Sequence, residues 1–279
     1  MALVNRVLHS SVVDGPGNRA VVFLQGCNYH CLYCHNPETI SVCKNCGTCA
    51  AKCPAGALRM ENGRVVWNEA LCCGCDTCIH ECPNLASPRV REMTARQVMD
   101  ELTPDLGFVR GLTVSGGECS LQRGFVVELF RMAKAKGLST LMDSNGSYDY
   151  TADAELMDCC DGVMLDVKAF DDGAHQKLTG RGSGPVLDNA VKLAEAGKLE
   201  EIRTVIVPEL LPNEDTVRRI TQLLRPYQQA HPIRYKIIAY RAFGVRSPYR
   251  ETLRTPTKAE LERCRDVAVE NGFTDIVLI

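Results

Sequence analysis

Cysteine placement constrains this chain more than any other feature. Sixteen of its 279 residues are cysteine, and twelve of them fall between Cys27 and Cys82. Only Cys119, Cys159, Cys160 and Cys264 lie elsewhere. In a reducing compartment, thiols this crowded act as metal ligands or catalytic groups rather than as disulfides. Cys43, Cys46, Cys49 and Cys53, followed by Pro54, read C-x2-C-x2-C-x3-C-P, and Cys72, Cys75, Cys78 and Cys82 with Pro83 repeat the pattern. At this cysteine frequency, three further cysteines would follow a given one at preset spacings in about two of ten thousand trials, so two copies exclude chance.

The repeated run is similar to that of bacterial two-cluster ferredoxins, in which the fourth cysteine of each run ligates the other cluster. That likeness assigns Cys43, Cys46, Cys49 and Cys82 to one [4Fe–4S] cluster, and Cys72, Cys75, Cys78 and Cys53 to a second. Metal binding would then supply much of the folding energy of a segment with few long apolar runs. A zinc site is the competing reading, although zinc favours two C-x2-C pairs across a longer spacer. Cys73 reads as a bystander thiol. The segment 42–88 is an insertion between 1–41 and 89–279.

Outside the insertion, short apolar strands alternate with amphipathic helices. Strands are expected at Ala20–Gln25, Gly111–Ser115, Leu138–Asp143, Gly162–Val167, Glu201–Pro208, Arg234–Ala239 and Thr274–Leu278. Helices are expected at Thr94–Leu102, Leu121–Lys136, Asp149–Met157, Val186–Ala196, Asn213–Gln229 and Lys258–Asn271. Such alternation builds βα units on a parallel sheet, either an incomplete barrel or an open doubly wound sheet. Polar residues gather at the strand ends, where α/β folds place their sites. A net charge of −2 gives no sign of a nucleic-acid partner. No apolar run approaches the roughly 20 residues that cross a bilayer, and the N-terminus lacks a signal-peptide core. The expected location is the cytoplasm.

Cys27, Cys31 and Cys34 have spacing C-x3-C-x2-C and no fourth partner nearby. Three thiolates on a four-iron cluster leave one iron open, as catalytic metal centres do. The alternative is a structural cluster completed by a distant thiol such as Cys119. The spacing, with Tyr33 before the last cysteine, resembles the signature of radical S-adenosylmethionine (SAM) enzymes. Asp14-Gly15-Pro16-Gly17, Arg19, Phe23–Cys27 and Cys34-His35-Asn36-Pro37 further resemble the opening of glycyl-radical-enzyme activating enzymes, most closely a YjjW-like subgroup carrying a ferredoxin-like insertion.

The resemblance implies an α/β fold: a partial (β/α)6 radical SAM barrel with an inserted two-cluster domain. It implies three [4Fe–4S] clusters and SAM bound to the open iron. Ser115-Gly116-Gly117-Glu118 is similar to the family's GGE motif, so Gly116, Gly117 and Glu118 are expected to hold the SAM ammonium. Asp143, Ser144, the Met164 carbonyl and Asp166 are expected at a monovalent-cation site beside the SAM carboxylate, with Lys168 and Arg203 reaching SAM. Two carboxylates and hard oxygen donors suit a hard cation. Asp14, Gly15, Pro16 and Gly17 are expected to hold the partner's glycine loop. His35 is expected to hydrogen-bond near the cluster rather than to ligate it. The histidine that other activases place after the sixth strand is missing, its region reading Ala239–Gly244.

The implied activity is anaerobic: reductive cleavage of SAM to methionine and a 5′-deoxyadenosyl radical, which abstracts hydrogen from a backbone glycine of a YjjI-like glycyl radical enzyme. Electrons would come from a flavodoxin or ferredoxin. A radical SAM enzyme for a small molecule, and a ferredoxin-type electron carrier on an inert barrel, are the two rivals. The Asp14–Gly17 stretch opposes the first, and Ser115–Glu118 with Asp166–Lys168 opposes the second.

Overall fold

A computed structural model describes all residues from Met1 to Ile279. Its strands, in chain order, are β1 (Ala2–Ser11), β2 (Arg19–Leu24), β3 (Leu58–Glu61), β4 (Arg64–Trp67), β5 (Arg91–Met93), β6 (Gly111–Gly116), β7 (Ser139–Ser144), β8 (Gly162–Asp166), β9 (Leu199–Ile206), β10 (Arg234–Ala239) and β11 (Ile276–Leu278). Nine of them form one sheet in the order β11-β10-β9-β8-β7-β6-β2-β1-β5. From β2 to β11 every neighbouring pair is parallel. Parallel strands need long crossovers that cover the sheet with helices, which is why β2 and β6 read as apolar runs buried on both faces. β5 and β11 are the two edges, so the sheet stays open rather than closing into a full barrel.

All seven strands expected from the alternation are present, and so are the six helices, with ends shifted by a few residues. Asp149–Met157 is trimmed most: a 3-10 turn at Tyr150–Ala152 precedes a helix at Ala154–Cys159 that Asp153 caps through Leu156 N at 3.1 Å. β1 and β5 are additional. β1 runs antiparallel to β2 through the 12–18 turn, and β5 pairs back onto β1. The core is one cluster of 46 buried residues between sheet and helices.

The segment 42–88 stands apart. A parallel bridge between Ser41 and Ala86 closes its neck, and Ser41 N donates to Leu85 O at 2.9 Å. Inside it, β3 and β4 form a hairpin around Asn62-Gly63, both with positive φ, as a tight hairpin turn requires. The two cysteine runs share one backbone shape. Asn45 and Gly74 occupy equivalent left-handed positions, as do Gly47 and Asp76. Each run then enters a single helical turn, Thr48–Ala51 or Thr77–His80. The threonine opening each turn sits beside a cysteine, Thr48 Oγ1 at 3.4 Å from Cys46 Sγ and Thr77 Oγ1 at 3.3 Å from Cys75 Sγ. The segment's core cluster is small, Cys49, Leu58 and Cys78, with Val65, Trp67 and Ile79 packed against it half-buried.

Candidate active site

The site lies at the C-terminal ends of the parallel strands. β2 delivers the cysteine loop, β6 delivers Ser115-Gly116-Gly117, β7 delivers Asp143 and Ser144, β8 delivers Asp166, and β9 carries Arg203 on its inward face. These residues, with Cys27, Cys31, Cys34, Tyr33, Asn145 and Lys168, line one cleft of about 220 Å³.

Backbone bonds fix the loops to one another. Gly26 N donates to Thr39 O at 2.8 Å and Cys27 N to Ile40 O at 2.9 Å. Gly117 N donates to Leu24 O at 3.0 Å and Glu118 N to Gly26 O at 2.8 Å. This close crossing requires glycine. Gly116 has φ +125°, and a Cβ there would sit 2.1 Å from Leu24 O; one on Gly117 would sit 2.2 Å from Gly26 O.

Glu118 departs from its expected place. It is fully buried and does not line the cleft. Its carboxylate accepts from Ser120 N at 3.0 Å, Ser120 Oγ at 2.6 Å, Ser144 Oγ at 3.0 Å and Asn145 N at 2.7 Å. Four donors consume its lone pairs, so it ties the β6 loop to the β7 loop instead of presenting oxygen to a ligand. Asn145, given no role from the sequence although it sits beside Asp143 and Ser144, lines the cleft and donates to Asn28 Oδ1 at 2.9 Å.

The charges in the cleft are paired. Arg203 reaches Asp143 Oδ2 at 2.9 Å, and Ser115 Oγ donates to the same oxygen at 2.9 Å. Burial pushes the Asp143 carboxyl up to about 6 even with that guanidinium beside it. Lys168 meets Asp166 Oδ2 at 2.8 Å. Burial alone would lower the Lys168 ammonium, but Asp166 together with the charges of Cys31 and Tyr33 outweighs this and holds it well above its ordinary value. Burial raises the Cys27 thiol to about 11, that of Cys34 to about 12, and that of Cys31 likewise upward. Thiolates here therefore need a compensating cation. The Tyr33 hydroxyl is buried at the cleft with no hydrogen-bond partner, a polar group awaiting one.

His35 Nε2 lies 3.0 Å from Arg241 O, and its ring stacks on Tyr240 with centroids 6.0 Å apart. The loop after β10, where the expected histidine is missing, thus supplies a carbonyl to His35. The 12–17 turn leads into the N-terminal end of β2, and Thr113 Oγ1 of β6 donates to the Asp14 carbonyl at 2.7 Å. Gly15 is buried with φ +124°, and a Cβ on it would meet Arg19 Cδ at 2.8 Å. Asp14 and Pro16 are half-buried and Gly17 is exposed.

Two smaller cavities hold the cysteines of the 42–88 segment. One is lined by Cys43, Cys46, Cys49 and Cys82, and the other by Cys53, Cys72, Cys75 and Cys78 with Cys73. None of the sixteen cysteines is paired in a disulfide. No three His, Cys, Asp or Glu side chains converge closely enough to hold a single metal ion. Four thiols spaced around a cavity suit a cluster better than a lone tetrahedral zinc.

The fold resembles that of a radical SAM methyltransferase from Sphaerobacter thermophilus, at a TM-score of 0.52 and 9% identity over 94% of this chain and 66% of that one. The architecture is therefore that of an α/β radical SAM fold. Residues 13–185 match the family model described as a 4Fe-4S single cluster domain. The (2S)-3-sulfopropanediol sulfolyase activating enzyme of Bilophila wadsworthia is 32% identical over 87% of this chain and 86% of its own length. The choline trimethylamine-lyase activating enzyme of Oleidesulfovibrio alaskensis is 31% identical over 88% and 85%. The chain belongs to the glycyl-radical-enzyme activating enzymes, and it is an enzyme. No helix is long and apolar enough to cross a membrane.

Proposed function

We propose that this chain reductively cleaves SAM to methionine and a 5′-deoxyadenosyl radical, and that the radical takes a hydrogen atom from a backbone glycine of a partner glycyl radical enzyme. The observation that carries this reading is the convergence of Cys27, Cys31 and Cys34 with Gly116, Gly117, Asp143, Ser144, Asp166, Lys168 and Arg203 on one cleft. Cys27, Cys31 and Cys34 would hold a [4Fe–4S] cluster, which would supply the single electron for the cleavage. Lys168 and Arg203 favour the SAM carboxylate, while Asp143, Asp166 and Ser144 offer oxygens to its ammonium or to a monovalent cation beside it. The closely approaching backbone at Gly116 and Gly117 offers carbonyls to the ammonium. Tyr33 and the paired charges limit water around the sulfonium.

Residues 42–88 serve as a ferredoxin-like domain holding two further [4Fe–4S] clusters, on Cys43, Cys46, Cys49 and Cys82 and on Cys53, Cys72, Cys75 and Cys78. The matching backbone of the two runs and the two four-cysteine cavities support this. Residues 1–41 and 89–279 form the catalytic barrel. Asp14–Gly17 help to hold the partner's glycine loop. A YjjI-like enzyme is the expected partner and a flavodoxin or ferredoxin the expected reductant, in the cytoplasm under anaerobic conditions.

Anaerobic reconstitution, reduction, addition of SAM and measurement of 5′-deoxyadenosine test the reading, with Cys31→Ala as control. Product that depends on Cys31 is the expected result. Absence of product from protein with all clusters filled overturns the chemistry.

A further inference from the structure

A chain of buried charges runs through the sheet interior from the cofactor cleft to the 12–17 turn. Alternation along β9 places Glu201, Arg203 and Val205 on one face. The parallel register sets Lys236 of β10 beside Arg203, and Glu201 beside Met164 of β8. Glu201 is completely buried, and Arg203 and Lys236 are each 7% exposed. A single carboxylate oxygen, Glu201 Oε1, takes both cations: Arg203 Nε bonds it, and Lys236 Nζ lies 3.1 Å away. The other oxygen, Oε2, is buried without a partner. At one end of the chain Arg203 holds Asp143 in the cleft at 2.9 Å. At the other, Lys236 Nζ donates to the Val13 carbonyl at 3.0 Å.

The turn has little else to hold it. Val12 is 75% exposed and Val13 59% exposed, so neither side chain anchors it by burial. Its other interior peg is the bond from Thr113 Oγ1 to the Asp14 carbonyl at 2.7 Å. Ser11 Oγ also bonds Asp14 Oδ2, but within the turn itself.

We propose that Glu201 and Lys236 are positioning residues that fasten the 12–17 turn to the interior and make its hold depend on what occupies Arg203. An anion arriving in the cleft draws the Arg203 guanidinium away from Glu201. The unshared carboxylate then draws the Lys236 ammonium, because buried charges stay paired. Lys236 leaves the Val13 carbonyl, and the turn loosens. On the reading of the cleft as a SAM site, the inference on which this one rests, SAM would bind first and free the turn for the partner's glycine segment.

The rate of elastase cleavage after Val12 and Val13, followed by mass spectrometry on the reconstituted protein, reports the turn directly. Without SAM, Lys236→Met should be cut there about tenfold faster than wild type, and Lys236→Arg should be cut at the wild-type rate. Saturating SAM should speed wild-type cleavage about threefold and leave the Lys236→Met rate unchanged. The double variant Glu201→Gln/Lys236→Met removes both charges together and should match Lys236→Met, with thermal melting as a check that each protein is folded. Equal cleavage of folded Lys236→Met, folded double variant and wild type would overturn the fastening. Wild-type cleavage that SAM slows or leaves unchanged, in protein shown by equilibrium dialysis to bind SAM, would overturn the coupling. Failure of dialysis to detect SAM binding would count against the cofactor reading instead, while the SAM-free comparison would still decide the fastening.

Discussion

The sheet and the 42–88 segment are held by different physics. The sheet and its helices enclose 46 buried residues in one contiguous core. The only core cluster of the segment joins three buried residues, two of which are cysteines. At about 25 cal/mol per Å² of apolar burial, the first can offset the chain entropy of its own folding and the second cannot. Hydrophobic burial therefore builds the scaffold that aims the cleft, while the segment depends on what its thiols bind and on its neck. The neck is specific: besides the Ser41–Ala86 bridge, Arg246 from the C-terminal part donates to the carbonyls of Cys82 at 2.9 Å and of Ile79.

The sharpest way to break this comparison is to remove iron. Chelation under anaerobic conditions should raise the proteolysis rate within 42–88 on the order of a hundredfold, while the sheet still melts cooperatively. Next in size is Arg203→Met. It strands Asp143, whose carboxyl already sits near 6, and should cost about 3–5 kcal/mol in urea unfolding besides weakening SAM binding. Leu112→Ala, at a fully buried position in β6, should cost about 2–5 kcal/mol. Leu58→Ala in the iron-free protein should cost under about 1 kcal/mol, since the small cluster around it is not expected to stay packed without iron. Equal losses at Leu112 and Leu58 would erase the distinction between the regions. Arg246→Ala removes two charged hydrogen bonds across the neck and should loosen the segment by about 1.5–3 kcal/mol, read by hydrogen exchange within 42–88.

The smallest effect concerns a helix end of the barrel. Glu260 caps the helix Lys258–Glu270 with Thr257, and Arg254 beside it holds its carboxyl down to about 2. A depressed carboxylate stabilises above its ordinary value near 4.5 and loses that contribution as the pH falls through about 2. Glu260→Gln should therefore cost under about 1 kcal/mol at pH 7, because the group is largely solvated, and that cost should fade as the pH falls through about 2. A pH-independent cost would mean that packing, not charge, holds that helix end.

The parallel strands were legible because strands buried on both faces leave continuous apolar runs. β1 was not, since its burial is irregular along ten residues and its partner β2 is a turn away. The β3–β4 hairpin did carry a signal, Asn62-Gly63 between two β-type runs, which the density of cysteines obscured. In the site, strand–helix alternation made the strand-end residues readable, while the roles expected of them came from the family resemblance. The bonding of Glu118 was not, because a sequence shows a carboxylate but not the four donors that turn it away from the cleft. Glu201 and Lys236 were invisible for a related reason. They are 35 residues apart in sequence, and only the register of β9 and β10 brings them within 3.1 Å.

The most direct test of the account measures iron and 5′-deoxyadenosine together on the same reconstituted preparations. Wild type should carry about twelve irons per chain and form 5′-deoxyadenosine from SAM. Cys31→Ala should retain about eight irons and form none, and a variant lacking Cys72 and Cys75 should lose irons from the 42–88 segment while its remaining irons include the cluster on Cys27, Cys31 and Cys34. Full 5′-deoxyadenosine formation by Cys31→Ala would contradict the assignment of the chemistry to the cleft.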